Sequence, residues 1–371
     1  MCQILKLGVS VPTDDGITKE LKTRIFWTCF IIDTWASGGS ALSRQFHKQA
    51  IAPRIPMDEV VFKSMRRGDP YVEDKDWRPG LWGHMVTLVD IYARIQRLHE
   101  DLASQEVWNE LHTEEAVCQL DRELADFESR LGPRLLFTLD NFKAYIDLGI
   151  GAVFIAFHLG YHHYCTLLFY QYLDQRRPVT RNGTLYRNRC KAHAAVVCDI
   201  LKASRTEGVG GLYNIVGHVA IVSSSVLLHT YLFGEARELD EVKERLESNL
   251  ESLVQLRSYW ASIELMVSVE ILFWSQGRLD FVTDIRLQIN RLVVFQKHCI
   301  LSISKNTHRF DHWMVKFLIA HSMALEDKEE SPHSASTRTD PIEELATTPG
   351  ERSRVTQSLI LGLQNNETGW R

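Results

Sequence analysis

The stretch Phe157-His158-Leu159-Gly160-Tyr161-His162-His163-Tyr164 sets His158 and His162 one helical turn apart, on one face, at the spacing a metal-ligand pair uses. His308 and His312 repeat that spacing, with Asp311 beside the second. The chemistry such a pair would support is activation of a metal-bound water, which needs a general base. The His158 segment lacks the glutamate that a metalloprotease helix carries next to its first histidine, and no third ligand can be assigned. His158 and His162 are therefore ligand or metal candidates set against a plainer reading, that of partly buried histidines among aromatic residues. The missing base and ligand favour the plainer one.

Other chemistries find less support. Zinc modules need tightly spaced cysteine pairs, and the nearest cysteines, Cys190 and Cys198, stand a full two turns apart on a helical pattern. No Gly-x-Ser-x-Gly elbow occurs, and Ser223-Ser224-Ser225 lies inside an apolar helical stretch, where small hydroxyl residues suit close packing. Glu123 and Asp126 are flanked by Arg122 and Arg130, a charge pattern of a solvated helix face. Gly208, Gly210 and Gly211 follow no strand, which argues against a phosphate-binding loop. The cations Arg176, Arg177, Arg181, Arg187 and Arg189 spread over a turn-rich segment with Tyr186 as the interleaved aromatic, so they read as a surface loop and not a nucleic-acid platform. No enzyme signature emerges, and the chain is read as a non-enzyme.

The totals agree with that reading. The 371 residues are 45% hydrophobic and 24% charged with a formal charge of -5, which speaks against a whole-chain electrostatic grip on DNA or RNA. Seven cysteines, an odd number, include Cys29, Cys165 and Cys198 inside apolar helical stretches, which suits free thiols in a reducing compartment. The first residues show no signal peptide. The longest apolar stretch, from Leu148 towards Tyr170, is unbroken only to Phe157, and His158, His162 and His163 follow. That is too short for a bilayer and reads as a helix buried in protein.

The elements that must position these residues are helices. Helical periodicity predicts elements from Thr13-Asp14-Asp15 to Gly38-Gly39, from Trp82 to Ala103, around Glu114–Gly132, from Phe142 to Asp174, and at about 189–205, 213–234, 236–260 and 262–300. The fold class is all-α: one irregular multi-helix domain over 1–325, followed by a disordered, acidic Ser/Thr/Pro-rich tail over 326–371. Within the tail, Val355-Thr356-Gln357-Ser358-Leu359-Ile360-Leu361-Gly362-Leu363 has the makings of a short sticky helical turn, either a partner-binding element or a solvated one.

In the first helix, Leu21, Ile25, Cys29 and Ile32 share one face, while Phe26, Trp27, Phe30 and Ile31 cover the rest. A helix apolar all round is buried all round. Arg24 and Asp33 fall on opposite sides of it, so each needs its own partner. For Asp33 the candidates are backbone N–H groups of the loop after Gly38-Gly39, or Arg44, or Arg54.

The pattern Glu20, Arg24, Phe26, Trp27, Phe30 and Asp33 resembles the signature of the fungal-specific transcription factor domain, the middle homology region of fungal zinc binuclear cluster regulators. The resemblance continues through Ala50–Glu59, Phe157–Leu173, Arg189–Leu201, Tyr213–Leu232 and Asn249–Glu264, in order along most of the chain. Two departures stand out. The Gly-Arg-Pro triplet common after the signature aspartate is missing, and the six-cysteine cluster that would precede the domain is absent, so the domain is expected to be N-terminally truncated. The resemblance implies a nuclear regulatory region of an RNA polymerase II transcription factor that responds to a small-molecule effector or to transcriptional co-regulators and can form a homodimer. DNA binding, and the zinc it requires, would come from the missing cluster. This chain itself would hold no cofactor, no membrane contact and no DNA-touching residue. The alternatives are a stand-alone co-regulator module without DNA binding, and a metal-dependent helical enzyme.

Overall fold

The structure is a computed structural model. It describes residues 13–37, 44–46, 52–174, 180–209, 215–273 (257–273 as backbone), 310–319 and 354–359, with Leu7, Val11, Arg291, Leu292, Val294, Phe295, Cys299 and Arg352 singly. The helices are α1 (Gly16–Ser37), α2 (Glu59–Ser64), α3 (Leu81–Ser104), α4 (Glu110–Ser129), α5 (Leu139–Asp147), α6 (Gly151–Phe169), α7 (Gly183–Thr206), α8 (Ile215–Phe233), α9 (Leu239–Phe273) and α10 (His312–Ile319). Among the described residues there is no strand, and an isolated bridge between Met57 and Pro79 is the nearest approach to one. The chain is all-α.

The caps explain the boundaries. Asp15 accepts from the Thr18 N–H at 2.8 Å and opens α1, Asn109 caps α4 and Thr138 caps α5. The apolar run expected to form one helix from Phe142 to Asp174 is instead broken at Gly149, which takes φ +70°. Gly149 N–H bonds the Ile146 carbonyl (2.7 Å) and Ile150 N–H the Tyr145 carbonyl (3.0 Å), the two crossed bonds of a Schellman stop. Hydrophobic content hid this stop, because periodicity within an unbroken apolar run carries no phase. The opposite error occurs in α9. Elements at 236–260 and 262–300 merge, up to Phe273, into one helix whose sequence contains neither Gly nor Pro. Residues 274–290 lie outside the described set.

The core is built on α6 and α8, both buried along nearly their whole length. α6 packs on α3, α5, α7 and α8, while α9 lies across α7 and α8, and α10 rests on α3. By length and apolarity α8 could cross a membrane, yet 94% of its most apolar window is buried inside the fold. One apolar cluster extends from Phe26 to Leu318. No disulfide links the described cysteines. The proposed division at 325/326 and most of the acidic tail lie outside the described residues.

The expectation that α1 is buried all round is corrected. Phe26, Trp27, Phe30 and Ile31 are buried, but Leu21, Ile25 and Ile32 are 45%, 47% and 56% exposed. The reason is positional. The groups that grip α1 reach Glu20, Arg24, Trp27, Asp33 and Thr34, and among the described residues nothing covers the face of Leu21, Ile25 and Ile32.

Candidate functional site

The six signature residues form one clamp between α1 and the segment 44–59. Glu20 is fully buried, and its carboxylate accepts from the Met57 N–H (3.0 Å) and the Tyr71 hydroxyl (2.9 Å). Arg24, one turn on, pairs with Glu20 at 2.9 Å, donates to the Met57 carbonyl at 2.6 Å, faces Glu59 at 3.6 Å and lies over the Phe62 ring. Glu59 in turn accepts from the Leu81 and Trp82 N–H groups (2.8 and 3.0 Å), so the clamp also starts α3. Burial raises the Glu20 carboxyl above its ordinary range, and the Arg24 guanidinium opposes that shift.

Trp27 and Asp33 secure the rest of the segment. The Trp27 indole donates to the Arg54 carbonyl at 3.0 Å, and Phe26, Trp27, Phe30 and Phe46 meet edge to face. Asp33 accepts from the backbone N–H groups of Gln45 (3.1 Å) and Phe46 (2.7 Å). The two cations considered for Asp33 go elsewhere. Arg44 donates to the Thr34 hydroxyl over the Phe30 ring, and Arg54 pairs with Asp74 and stacks on Trp77. The geometry is that of a staple. It holds two chain segments in register and presents no nucleophile beside a base.

His158 and His162 stand one turn apart on α6 but serve different neighbours. The His158 ring meets the edges of Phe137, Phe154 and Phe157, and burial pushes its imidazole down to about 4. His162 Nδ1 lies 2.9 Å from Nδ1 of His193 on α7, so one nitrogen donates and the other accepts. Burial holds both rings low, His193 at about 4. Among the described residues no three His, Cys, Asp or Glu side chains converge as metal ligands. His193 is the partner that sequence reading missed, since no spacing rule links positions so far apart. Of the second pair, His308 lies outside the described residues, and His312 Nε2 sits 2.5 Å from the Gln105 carbonyl.

Arg176, Arg177, Gly210 and Gly211 lie outside the described residues, and several of the other singled-out residues have structural roles. Arg187 bonds the Tyr172 carbonyl, and Arg189 pairs with Asp121 at 2.5 Å over the Phe169 ring; both lie on α7 rather than in a surface loop. Ser223 donates to the Ala194 carbonyl and accepts from Asn249, and Ser225 bonds the Tyr170 hydroxyl, so the serine run joins α8 to its neighbours. A small apolar hollow of about 20 Å³ lies where α1, α6 and α8 meet, lined by Trp35, Gly160, His163, Tyr164, Val216 and Val219 among others. It has room for about one water.

The fold and site define an all-helical module held by a buried polar staple. In sequence the chain is similar to an uncharacterized transcriptional regulatory protein of Schizosaccharomyces pombe, 21% identical over 312 residues that cover 72% of this chain and 37% of the relative. It is also similar to a second uncharacterized transcriptional regulatory protein of that yeast, 23% identical over 177 residues covering 43% of this chain and 18% of the relative. The chain thus spans less than half the length of these curated relatives. No family model matches the chain, and no solved structure matches it.

Proposed function

We propose that this chain is the regulatory, middle-homology region of a fungal transcription factor, working in the nucleus on an RNA polymerase II promoter. Promoter contact comes from a zinc cluster elsewhere in the protein, and these residues respond to a co-regulator or an effector. The observation that carries the reading is the staple: Glu20, Arg24, Phe26, Trp27, Phe30 and Asp33, the residues of the resemblance, hold α1 to the segment 44–59. The similarity to two transcriptional regulatory proteins of Schizosaccharomyces pombe supports the same class. In this reading regulation proceeds by a shift between two helix packings, one of which the co-regulator or effector prefers.

A reporter experiment tests this. The full chain is fused to an unrelated DNA-binding domain in a fungal host, and transcription is compared with that domain alone. The expected result is a reproducible change in reporter output that Glu20→Ala diminishes. Output equal to that of the bare DNA-binding domain would overturn the proposal.

A further inference from the structure

The corner between α3 and α4 breaks two local rules. The first concerns charge. α3 carries Asp101 in its last turn and no basic residue there, although that end of a helix dipole is negative and favours a cation. From Leu98 to Cys118 the sequence holds six carboxylates and no lysine or arginine. Glu100, Asp101, Glu106 and Glu115 are exposed. Arg97, one turn before Asp101, is the cation that acts on Glu100. The ion pairs of α4 lie further along the helix, at Asp121 with Arg189 and at Glu123 with Arg94.

The second rule concerns burial. Val107 and Leu111 are 84% and 69% exposed, more than any other large hydrophobic residue among those described. They stand out because Trp108 between them turns inward. Its indole donates to the Leu102 carbonyl at 2.6 Å, and its ring meets Phe310 and His312. Asn109 then fixes the start of α4 by accepting from the His112 N–H at 3.1 Å. The corner is therefore held in shape before anything binds, which lowers the ordering cost of binding.

We propose that this α3–α4 corner is a docking surface for a cationic segment of a protein partner, one in which lysine or arginine residues are interspersed with branched aliphatic ones. Val107 and Leu111 supply the apolar contact. Glu100, Asp101, Glu106 and Glu115, with the negative end of α3, take the cations. Leu111 and Glu115, four residues apart, share one face of α4, so an apolar and a cationic group of the same partner segment can both be met there. The sign of the charge sets the class of partner. Nucleic acid and anionic lipid surfaces are repelled by the same carboxylates, and a second copy would set like charges opposite one another. α3 begins at the staple and ends here, 24 residues on, so the surface is separate from the staple, and the inference does not depend on the chain acting in transcription.

Fluorescence anisotropy with the purified full chain at physiological salt tests this, the probe being a labelled helical peptide of leucine and lysine. The wild type should bind it and should not bind a leucine–glutamate peptide of the same pattern. Leu111→Ser and Asp101→Lys should each weaken binding about tenfold or more. Asp126→Lys makes the same charge change near the other end of α4 and should leave binding within about twofold. All three positions are exposed, so the variants keep the fold, and circular dichroism verifies that. A wild type that does not bind the leucine–lysine peptide overturns the proposal. So does an equal loss from Asp126→Lys and Asp101→Lys, which would mean diffuse charge attraction, or full binding by Leu111→Ser. A wild-type dimer that Leu111→Ser dissolves would make a second copy the occupant and overturn it as well.

Discussion

Glu20 and Arg24, 2.9 Å apart on successive turns of α1, together engage both backbone polar groups of Met57: Glu20 takes its N–H and Arg24 its carbonyl. Met57 is fully buried, so these groups have no water to turn to. Glu20→Ala strands a mostly buried guanidinium and orphans the Met57 N–H, and should cost about 3–5 kcal/mol. Arg24→Ala should cost a similar amount. The double variant should cost at least about 1 kcal/mol less than the two added together, because each single change already breaks the shared pair. Urea unfolding of the four proteins measures this, and strictly additive losses would show that the two residues act separately.

Asp33 works through backbone donors alone. Both of its oxygens are used, one on Gln45 N–H and one on Phe46 N–H. Asp33→Ala should lower stability by about 1–3 kcal/mol, while Asp33→Asn, which keeps one acceptor oxygen, should lose roughly half as much. Thermal melts of the three proteins check the order. If the alanine variant melts with the wild type, the 44–46 segment does not depend on this contact.

This staple was half legible from the sequence. The spacing of Arg24 and Asp33 across an apolar helix required that each find a separate partner, and the loop N–H groups were among those named for Asp33. Glu20 as the mate of Arg24 follows the four-residue rule of helix surfaces, but the role of Met57 did not show, because backbone groups carry no sequence signal. The same limit explains the outward face of α1. Leu21, Ile25 and Ile32 look like core by composition, and only the position of the gripping segments decides which side is buried. The helical class was readable throughout because several helix starts have capping side chains, whereas the Gly149 stop was masked by apolar residues on both sides.

The polar contacts inside the α7–α8–α9 packing should be costly to remove. Asn249 is fully buried, and its Nδ2 donates to Ser223 (2.9 Å) and Ser224 (3.3 Å), while Ser223 donates on to the Ala194 carbonyl. Asn249→Ala leaves two buried hydroxyls short of a donor and opens a small void, for an expected loss of about 2–4 kcal/mol. Ser223→Ala alone should cost less, about 1–2 kcal/mol, because Asn249 keeps its second contact. Guanidinium unfolding gives both values. A larger loss from Ser223→Ala than from Asn249→Ala would reverse the assigned centre of the network.

The buried histidines set the acid limit of stability. His99 and His158 are 1% and 4% exposed, and burial holds both imidazoles at about 4. An unfolded histidine titrates near ~6.5. Above that value both states carry neutral rings, and their contribution to stability is fully present. As pH falls from about 6.5 towards about 4, the unfolded chain takes up protons that the folded chain refuses, so stability declines through that window. The slope should approach about 1.4 kcal/mol per pH unit for each such ring, and His162 and His193 add to it with the same sign. His158→Phe, which places a further ring among Phe137, Phe154 and Phe157, removes one titrating group. Urea unfolding at pH 7, 6 and 5 should therefore show a steep decline in the wild type and a shallower one in the variant, by about one ring's share. Equal slopes in the two proteins would mean that His158 is able to take its proton without leaving the fold.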